Sequence, residues 1–246
     1  MLVRGIKTHI IQQSDNLLSL LDQYIPRLNE NAILVITSKI ISILENQILP
    51  KEGIEKKLLI QKEADFFLET EENSFDFYLT IKNGILIPSS GIDESNSNNT
   101  YILYPKNLED TVLKIWNYIK TRDRIQKLGI LVTDSHSTLM RRGLTGIALS
   151  WIGFKPINSY VGAPDIYQES LKITQVNVID SLATAAVFIM GEGNEQIPFV
   201  VIENAPHIAY VDHQPSEEEK KQVYFSVEED LYISLLQKGK WKKTIK

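Results

Sequence analysis

Cysteine is absent from the chain, which excludes disulfide frameworks, thiolate metal sites and cysteine nucleophiles. No run approaches the ~20 apolar residues that a membrane span needs. The opening stretch from Met1 to Gln12 lacks the apolar core and small-residue cleavage site of a secretory leader. Positive charge is in short supply: 26 Lys+Arg stand against 31 Asp+Glu, a net charge of −5, which argues against nucleic acid as the main partner. The familiar signatures are missing as well. No G-x-x-x-x-G-K-[ST], no G-x-G-x-x-G after a strand, no H-E-x-x-H and no G-x-S-x-G occurs. The four histidines, His9, His136, His207 and His213, are scattered without metal-ligand spacing. There is no internal repeat and no low-complexity linker. The expectation is a soluble, cytoplasmic protein with no membrane and no nucleic-acid partner.

What is present suits a globular enzyme. Hydrophobic residues make up 43% of 246 positions, enough for a substantial core, and the length allows one large domain over 1–246 or two small ones. Ser14 to Ile25 reads as an amphipathic helix with Ser14 as N-cap and Pro26 ending it. Ala32 to Thr37 (AILVIT) reads as a buried strand, and Ser38 to Glu45 as a helix. Phe75 to Pro88 carries two β-rich runs around Asn83-Gly84, the dipeptide of type I′ hairpins. Asn107 to Ile125 reads as a long helix, Gly129 to Thr133 as a strand, Leu144 to Ile152 and Ile179 to Met190 as helices, and Pro198 to Glu203 as a strand. Interleaving of this kind predicts a mixed α/β (α+β) fold. From Lys238 onward five lysines fall in nine residues, which reads as a solvated basic tail over 238–246.

Chemistry has to come from acids at the ends of apolar segments. Asp93 follows the strand Ile85–Ile87, Asp134-Ser135 ends the strand Gly129–Thr133, and Glu192 follows a helix at Met190-Gly191. Each alone also fits ordinary turn chemistry. Gathered beyond strand ends, such carboxylates and hydroxyls suit Mg²⁺ or Mn²⁺. Arg141-Arg142-Gly143, ahead of the expected helix at Leu144, reads either as a clamp for phosphate or carboxylate or as a solvated helix start. Lys39 opens a helix after a strand in Thr37-Ser38-Lys39, a place suited to phosphate. The loop Met190 to Ile197 either wraps a nucleotide or merely connects helix to strand.

Taken in order, these residues resemble the coenzyme F420-0:L-glutamate ligase (F420 γ-glutamyl ligase) family. The matches are Gly91-Ile92-Asp93-Glu94-Ser95-Asn96, then Val132-Thr133-Asp134-Ser135 followed by Arg141-Arg142-Gly143, then Gly162-Ala163-Pro164-Asp165-Ile166-Tyr167, then Asp180 to Met190 leading into Met190-Gly191-Glu192. Thr8-His9-Ile10-Ile11 and Thr37-Ser38-Lys39 resemble its N-terminal motifs. The resemblance covers nearly the whole chain, and the phrase around Leu79 to Lys82 looks closer to the bacterial folate γ-glutamate ligase branch.

The resemblance implies a fold without a P-loop, an intertwined homodimer, and ligation of L-glutamate to a small-molecule carboxylate, F420-0 or a folate, through an acyl phosphate. GTP is the implied co-substrate, with ATP as the alternative, together with Mg²⁺ or Mn²⁺, two ions in all. Asp93, Asp134, Ser135 and Glu192 match metal-side positions. Thr8, His9, Ile10, Ile11, Ser38, Lys39, Asn96, Met190, Gly191, Gly193 and Glu195 match nucleotide-binding positions. Asp93, Asp134, Arg141 and Arg142 stand as catalytic candidates, with Glu195 and His136 as candidate bases for the incoming amine. Departures from the family pattern are Ile43 where a lysine is usual, Asn83 where histidine is common, and Asp134-Ser135-His136-Ser137-Thr138 where Asp-Thr-Phe-Gly-Arg is frequent. The departure at Ile43 also motivates a second reading, a nucleotide-binding homologue without catalysis.

Overall fold

The computed structural model describes residues 1–68, 78–225, 229–232, 234, 238–239 and 241–244. The chain opens with β1 (Leu2–Ile6), α1 (Leu17–Tyr24), β2 (Ala32–Thr37), α2 (Ser38–Leu44) and β3 (Ile48–Pro50). It continues through α3 (Lys56–Glu63), β4 (Phe66–Leu68), β5 (Leu79–Lys82), β6 (Ile85–Pro88) and β7 (Thr100–Ile102). Next come α4 (Leu108–Asp123), β8 (Leu128–Ser137), β9 (Leu144–Ile152), β10 (Ile157–Ser159) and β11 (Gln175–Asn177). The last elements are α5 (Val178–Met190), β12 (Phe199–Glu203), α6 (Glu217–Val223) and β13 (Trp241–Lys243).

A five-stranded mixed sheet in the order β1-β12-β2-β8-β9 forms the centre. Only β2 and β8 run parallel. Ala32–Ile36 of β2 and Leu128–Val132 of β8 carry no polar side chain and are fully buried, as expected for strands covered on both faces. One face packs Leu34, Ile36, Ile130 and Val132 against α1 and α4. The other packs Ile33, Val35, Leu131 and Val200 against α5. A second, four-stranded sheet, β13-β4-β5-β6, lies beside it. Ile85 and Ile87 of β6 join Tyr104 in a cluster that leans on Ile147 and Leu149 of β9.

Most expected elements stand where the sequence put them. Asn83 and Gly84 both take positive φ in the β5–β6 turn, as a type I′ hairpin requires. Phe75 to Phe77 of the expected hairpin run lie outside the described residues. Four expectations are corrected. The segment from Leu144 to Ile152 is a strand, not a helix, paired antiparallel to β8. Its burial alternates from Thr145 to Ser150, and β8 offers a free edge that satisfies its backbone. The strand β8 does not end at Thr133 but runs on to Ser137, past a bulge between Val132 and Thr133. The first helix starts at Leu17, with Asn16 rather than Ser14 as its cap; the Asn16 side chain accepts the Ser19 N–H at 3.1 Å. The C-terminal segment is not wholly a solvated tail, because Trp241–Lys243 pairs with Phe66–Leu68 as an edge strand; Lys240, Ile245 and Lys246 lie outside the described residues. No helix among the described residues is long and apolar enough to cross a membrane.

Candidate active site

A groove of about 850 Å³ opens at one end of the central sheet. Its walls come mainly from five separate segments. The Thr8–Gln13 stretch follows β1, Thr37 and Lys39 sit where β2 becomes α2, and Asp93 to Asn98 precede β7. Asp134 and Ser135 of β8 and the loop from Met190 to Pro198 complete it. The parallel pairing of β2 with β8 is what brings Lys39 and Asp134 to the same end, since Thr37 lies directly across from Thr133.

Lys39 stands at the centre of the acidic end. Its Nζ lies 2.6 Å from Asp93 Oδ2 and donates to the Ser95 hydroxyl at 3.0 Å and the Ser95 carbonyl at 3.1 Å. Asp93 Oδ1 accepts from the Ser95 amide at 2.7 Å and hydroxyl at 2.8 Å. Its backbone is locked to Ile102 by two 2.9 Å hydrogen bonds. Asp134 keeps part of its surface open to the groove, yet protein crowds its carboxyl on most sides. That burial pushes the carboxyl up to about 7; the Ser135 amide works against the rise and the nearby Asp93 charge adds to it. Burial likewise raises Glu192, against a hydrogen bond from Ser135 and the pull of Lys39. Three carboxylates and a hydroxyl thus feel one another around one ammonium group.

The glycine loop is folded onto this end by its own side chains. Glu195 accepts the Gly193 N–H at 2.8 Å, and Asn96 donates to the Gly193 carbonyl at 2.8 Å. Gly191 has φ +75°, and a Cβ there would sit 2.4 Å from the Glu195 carboxyl carbon, so no other residue fits without moving that clasp. The Thr8 N–H donates to the Gln196 carbonyl at 3.0 Å, tying the N-terminal wall to the loop. His9 is held on both ring nitrogens, by Tyr24 at 2.6 Å and Asp15 at 3.1 Å.

Of the residues singled out in the sequence, Thr8, His9, Ile10, Ile11, Lys39, Asn96, Met190, Gly191, Gly193, Glu195, Asp93, Asp134, Ser135 and Glu192 all line this groove. Three kinds of candidate stand apart from it. Ser38 is buried beneath the start of α2 and does not line it, because the helix turns that side chain inward. Arg141 and Arg142 are exposed in the turn between β8 and β9, away from the groove. The helix-start argument for them falls with the helix. His136 lies outside the groove as well, half-buried near Asp180, its pKa lowered by burial. Glu195, the other candidate base, is committed to the loop clasp.

The sequence reading missed Ser95, which serves Lys39 and Asp93 together and lay inside an already quoted motif. It also missed Tyr104. Its hydroxyl is buried without a hydrogen bond of good geometry, and its pKa is raised well above the usual value by burial and then by Asp134. Nothing in the segment Thr100 to Tyr104 marks it.

The donor chemistry of Asp93, Asp134, Ser135 and Glu192 is that of hard oxygen ligands, and a cation beside Asp134 would favour the ionised carboxylate that burial disfavours. Among the described residues, however, no three His, Asp or Glu side chains stand close enough as placed to hold an ion. The Lys39 ammonium takes that central position.

The model of a protein family described as F420-0:Gamma-glutamyl ligase matches residues 5–204. Named coenzyme F420:L-glutamate ligases are similar over most of their length. That of Methanosarcina mazei is 32% identical over 80% of this chain and 82% of its own. That of Methanocaldococcus jannaschii is 33% identical over 77% and 81%, and that of Archaeoglobus fulgidus 30% identical over 90% and 92%. The groove is built from segments that fall within the matched span, and this chain belongs to the F420-0:gamma-glutamyl ligase family.

Proposed function

We propose that this protein is a nucleotide- and metal-dependent ligase that joins L-glutamate to the carboxylate of a cofactor-like acceptor, F420-0 or a folate. The observation that carries the reading is the meeting of Lys39, Asp93, Asp134, Ser135 and Glu192 with the Met190–Pro198 loop in one groove. Amide formation needs a leaving group on an inert carboxylate, and phosphoryl transfer from GTP supplies it as an acyl phosphate. Glutamate's amine then displaces phosphate.

The chain's own residues position that chemistry. Gly191 and Gly193 let the loop backbone approach a nucleotide closely, and the Glu195 and Asn96 clasps hold the loop in that shape. Lys39 swings from Asp93 to the phosphates when nucleotide enters, which frees the Asp93 carboxylate. Asp93, Asp134 and Glu192, with Ser135, would then hold divalent cation, Mg²⁺ or Mn²⁺. Bound there, such an ion neutralises phosphate charge in the transition state. A second reading, a nucleotide-binding homologue without catalysis, draws on Ile43, which lines the groove where the family usually has lysine.

The same proposal includes a homodimer. Leu139, Met140 and Leu144 protrude at the β8–β9 turn, and Ile166, Tyr167 and Ile173 protrude from the ribbon between β10 and β11. Apolar side chains spread this way favour a second copy as cover.

The test is direct. The protein is incubated with GTP or ATP, Mg²⁺, glutamate and a panel of deazaflavin and pterin acceptors, and products are weighed by mass spectrometry. Addition of one or more glutamate residues to one class of acceptor is the expected result. Tight nucleotide binding with no product from any acceptor favours the second reading.

A further inference from the structure

Between β6 and Asp93 the backbone makes an unusual turn. Ser89, Ser90 and Gly91 take φ values of +51°, +58° and +68° in succession. Left-handed backbone is ordinary for glycine but unfavourable for serine, whose Cβ crowds the backbone there. Both serines are also buried, at 3% and 0% exposure. Such strain persists only where the surroundings hold it, and it gathers at functional sites.

The surroundings here are a buried hydrogen-bond clamp. Thr80, fully buried on β5, accepts the Ser90 N–H at 2.8 Å and donates its hydroxyl to the Ile87 carbonyl. The Ser90 hydroxyl donates to the Ile60 carbonyl of α3 at 2.9 Å. The Ser89 N–H donates to the Tyr78 carbonyl at 2.6 Å. Gly91 is pressed against Tyr104, and a Cβ there would lie 2.4 Å from the ring. Two residues later the chain delivers Asp93, locked by its backbone to Ile102, with its carboxylate on Lys39 and Ser95.

We propose that Thr80 is a positioning residue for the active site: its hydroxyl, through Ser90, holds the left-handed Ser89–Gly91 turn that aims the Asp93 carboxylate. The hydroxyl is the acceptor on which the Ser90 amide depends, and the turn is the segment that sets the direction in which Asp93 leaves β6. Thr80 itself does not line the groove. This rests on the reading of Asp93 as a metal-side carboxylate.

The test measures Mn²⁺ binding to the intact protein with a saturating non-hydrolysable GTP analogue present, because Lys39 holds Asp93 until nucleotide enters. The readout is loss of the free-ion electron paramagnetic resonance signal beyond that caused by the analogue alone, well below each variant's melting temperature. Wild type and Asp93→Asn come first. Binding by the wild type and its loss in Asp93→Asn establish the metal reading; no binding by the wild type, or equal binding by both, overturns that reading and this proposal with it. Thr80→Val keeps the shape and removes the hydroxyl. It is expected to bind Mn²⁺ roughly 10–100-fold more weakly, the usual cost of losing a residue that orients a metal ligand, while Thr80→Ser returns to within about threefold. A Thr80→Val protein that melts lower but binds Mn²⁺ like wild type gives Thr80 a purely structural role and overturns the proposal. If Thr80→Val does not fold, Ser90→Ala, which removes only the anchor to Ile60, decides: weaker Mn²⁺ binding supports the clamp, and unchanged binding overturns it.

Discussion

Strand β8 carries two regions that look equally chemical in the sequence and have opposite fates in the fold. Asp134-Ser135 opens into the groove, and Arg141-Arg142 sits beyond the end of the same strand in an exposed turn. Only seven positions separate Asp134 from Arg141, yet β8 runs on to Ser137 at ~3.3 Å per residue and the turn beyond it takes the chain clear of the groove. Burial then separates the two further. Asp134 is crowded enough that its carboxyl titrates near 7, whereas Met140 beside the arginines is 100% exposed. Proximity in a sequence therefore says little about a shared site when the intervening residues are extended.

The sharpest way to break this comparison is at Asp134. Asp134→Asn keeps shape but removes the charge that would hold a divalent cation. Turnover is expected to fall roughly a hundredfold or more, with the circular dichroism spectrum unchanged. Near wild-type glutamate ligation would remove Asp134 from the mechanism.

The turn should respond in assembly instead. Met140→Asp places a charge in the proposed dimer cover, and a central apolar contact of this kind costs about 2 kcal/mol or more, on the order of 30-fold in dissociation constant. Sedimentation should show the wild type as a dimer at micromolar concentration and the variant shifted towards monomer. A monomeric wild type would leave the exposed apolar residues without that explanation.

A third measurement uses pH. The unfolded chain releases the Asp134 proton near the ordinary value of 3.8, but the folded protein holds it until about 7. Between those values the folded state binds the extra proton, so this group's contribution to stability falls as pH rises from about 4 to 7 and stays low above that. Asp134→Asn lacks the effect. In chelator, its melting temperature relative to wild type should climb by several degrees across that window and then level off. A constant difference from pH 4 to 8 would mean that Asp134 titrates normally.

The smallest effect is expected at the arginines. Arg141→Ala and Arg142→Ala should change kcat/KM by less than about threefold, as exposed residues outside a site usually do, below 1 kcal/mol. A hundredfold loss in steady-state assays would mean that the turn of a second copy reaches the groove.

Much of this was legible beforehand. Long apolar runs such as Ala32–Thr37 declared themselves as buried strands, and Asn83-Gly84 declared its turn through the φ angles it favours. The family motifs carried the groove, and 14 residues named from them line it. Leu144 to Ile152 was misread because a short apolar run satisfies either period; its neighbour β8 settles the matter by offering backbone partners. The helix expected to follow Arg141 and Arg142 does not exist, and the turn places both outside the groove. Tyr104 and the Thr80 clamp gave no local signal, because a buried hydroxyl acquires meaning only from what lies across from it.

By itself, the sequence determined where backbone periodicity and turn chemistry are strong: the central strands, the helices α2, α4 and α5, the I′ hairpin, and a set of acids at segment ends. Those properties are local, set by side-chain period and by allowed φ. Only the tertiary structure decided which acids meet. Parallel pairing of β2 with β8 set Lys39 beside Asp134, the clamped turn delivered Asp93 to Lys39, and the antiparallel return of β9 carried the arginines away. Convergence depends on contacts between residues far apart in the chain, which a reading along the chain does not contain.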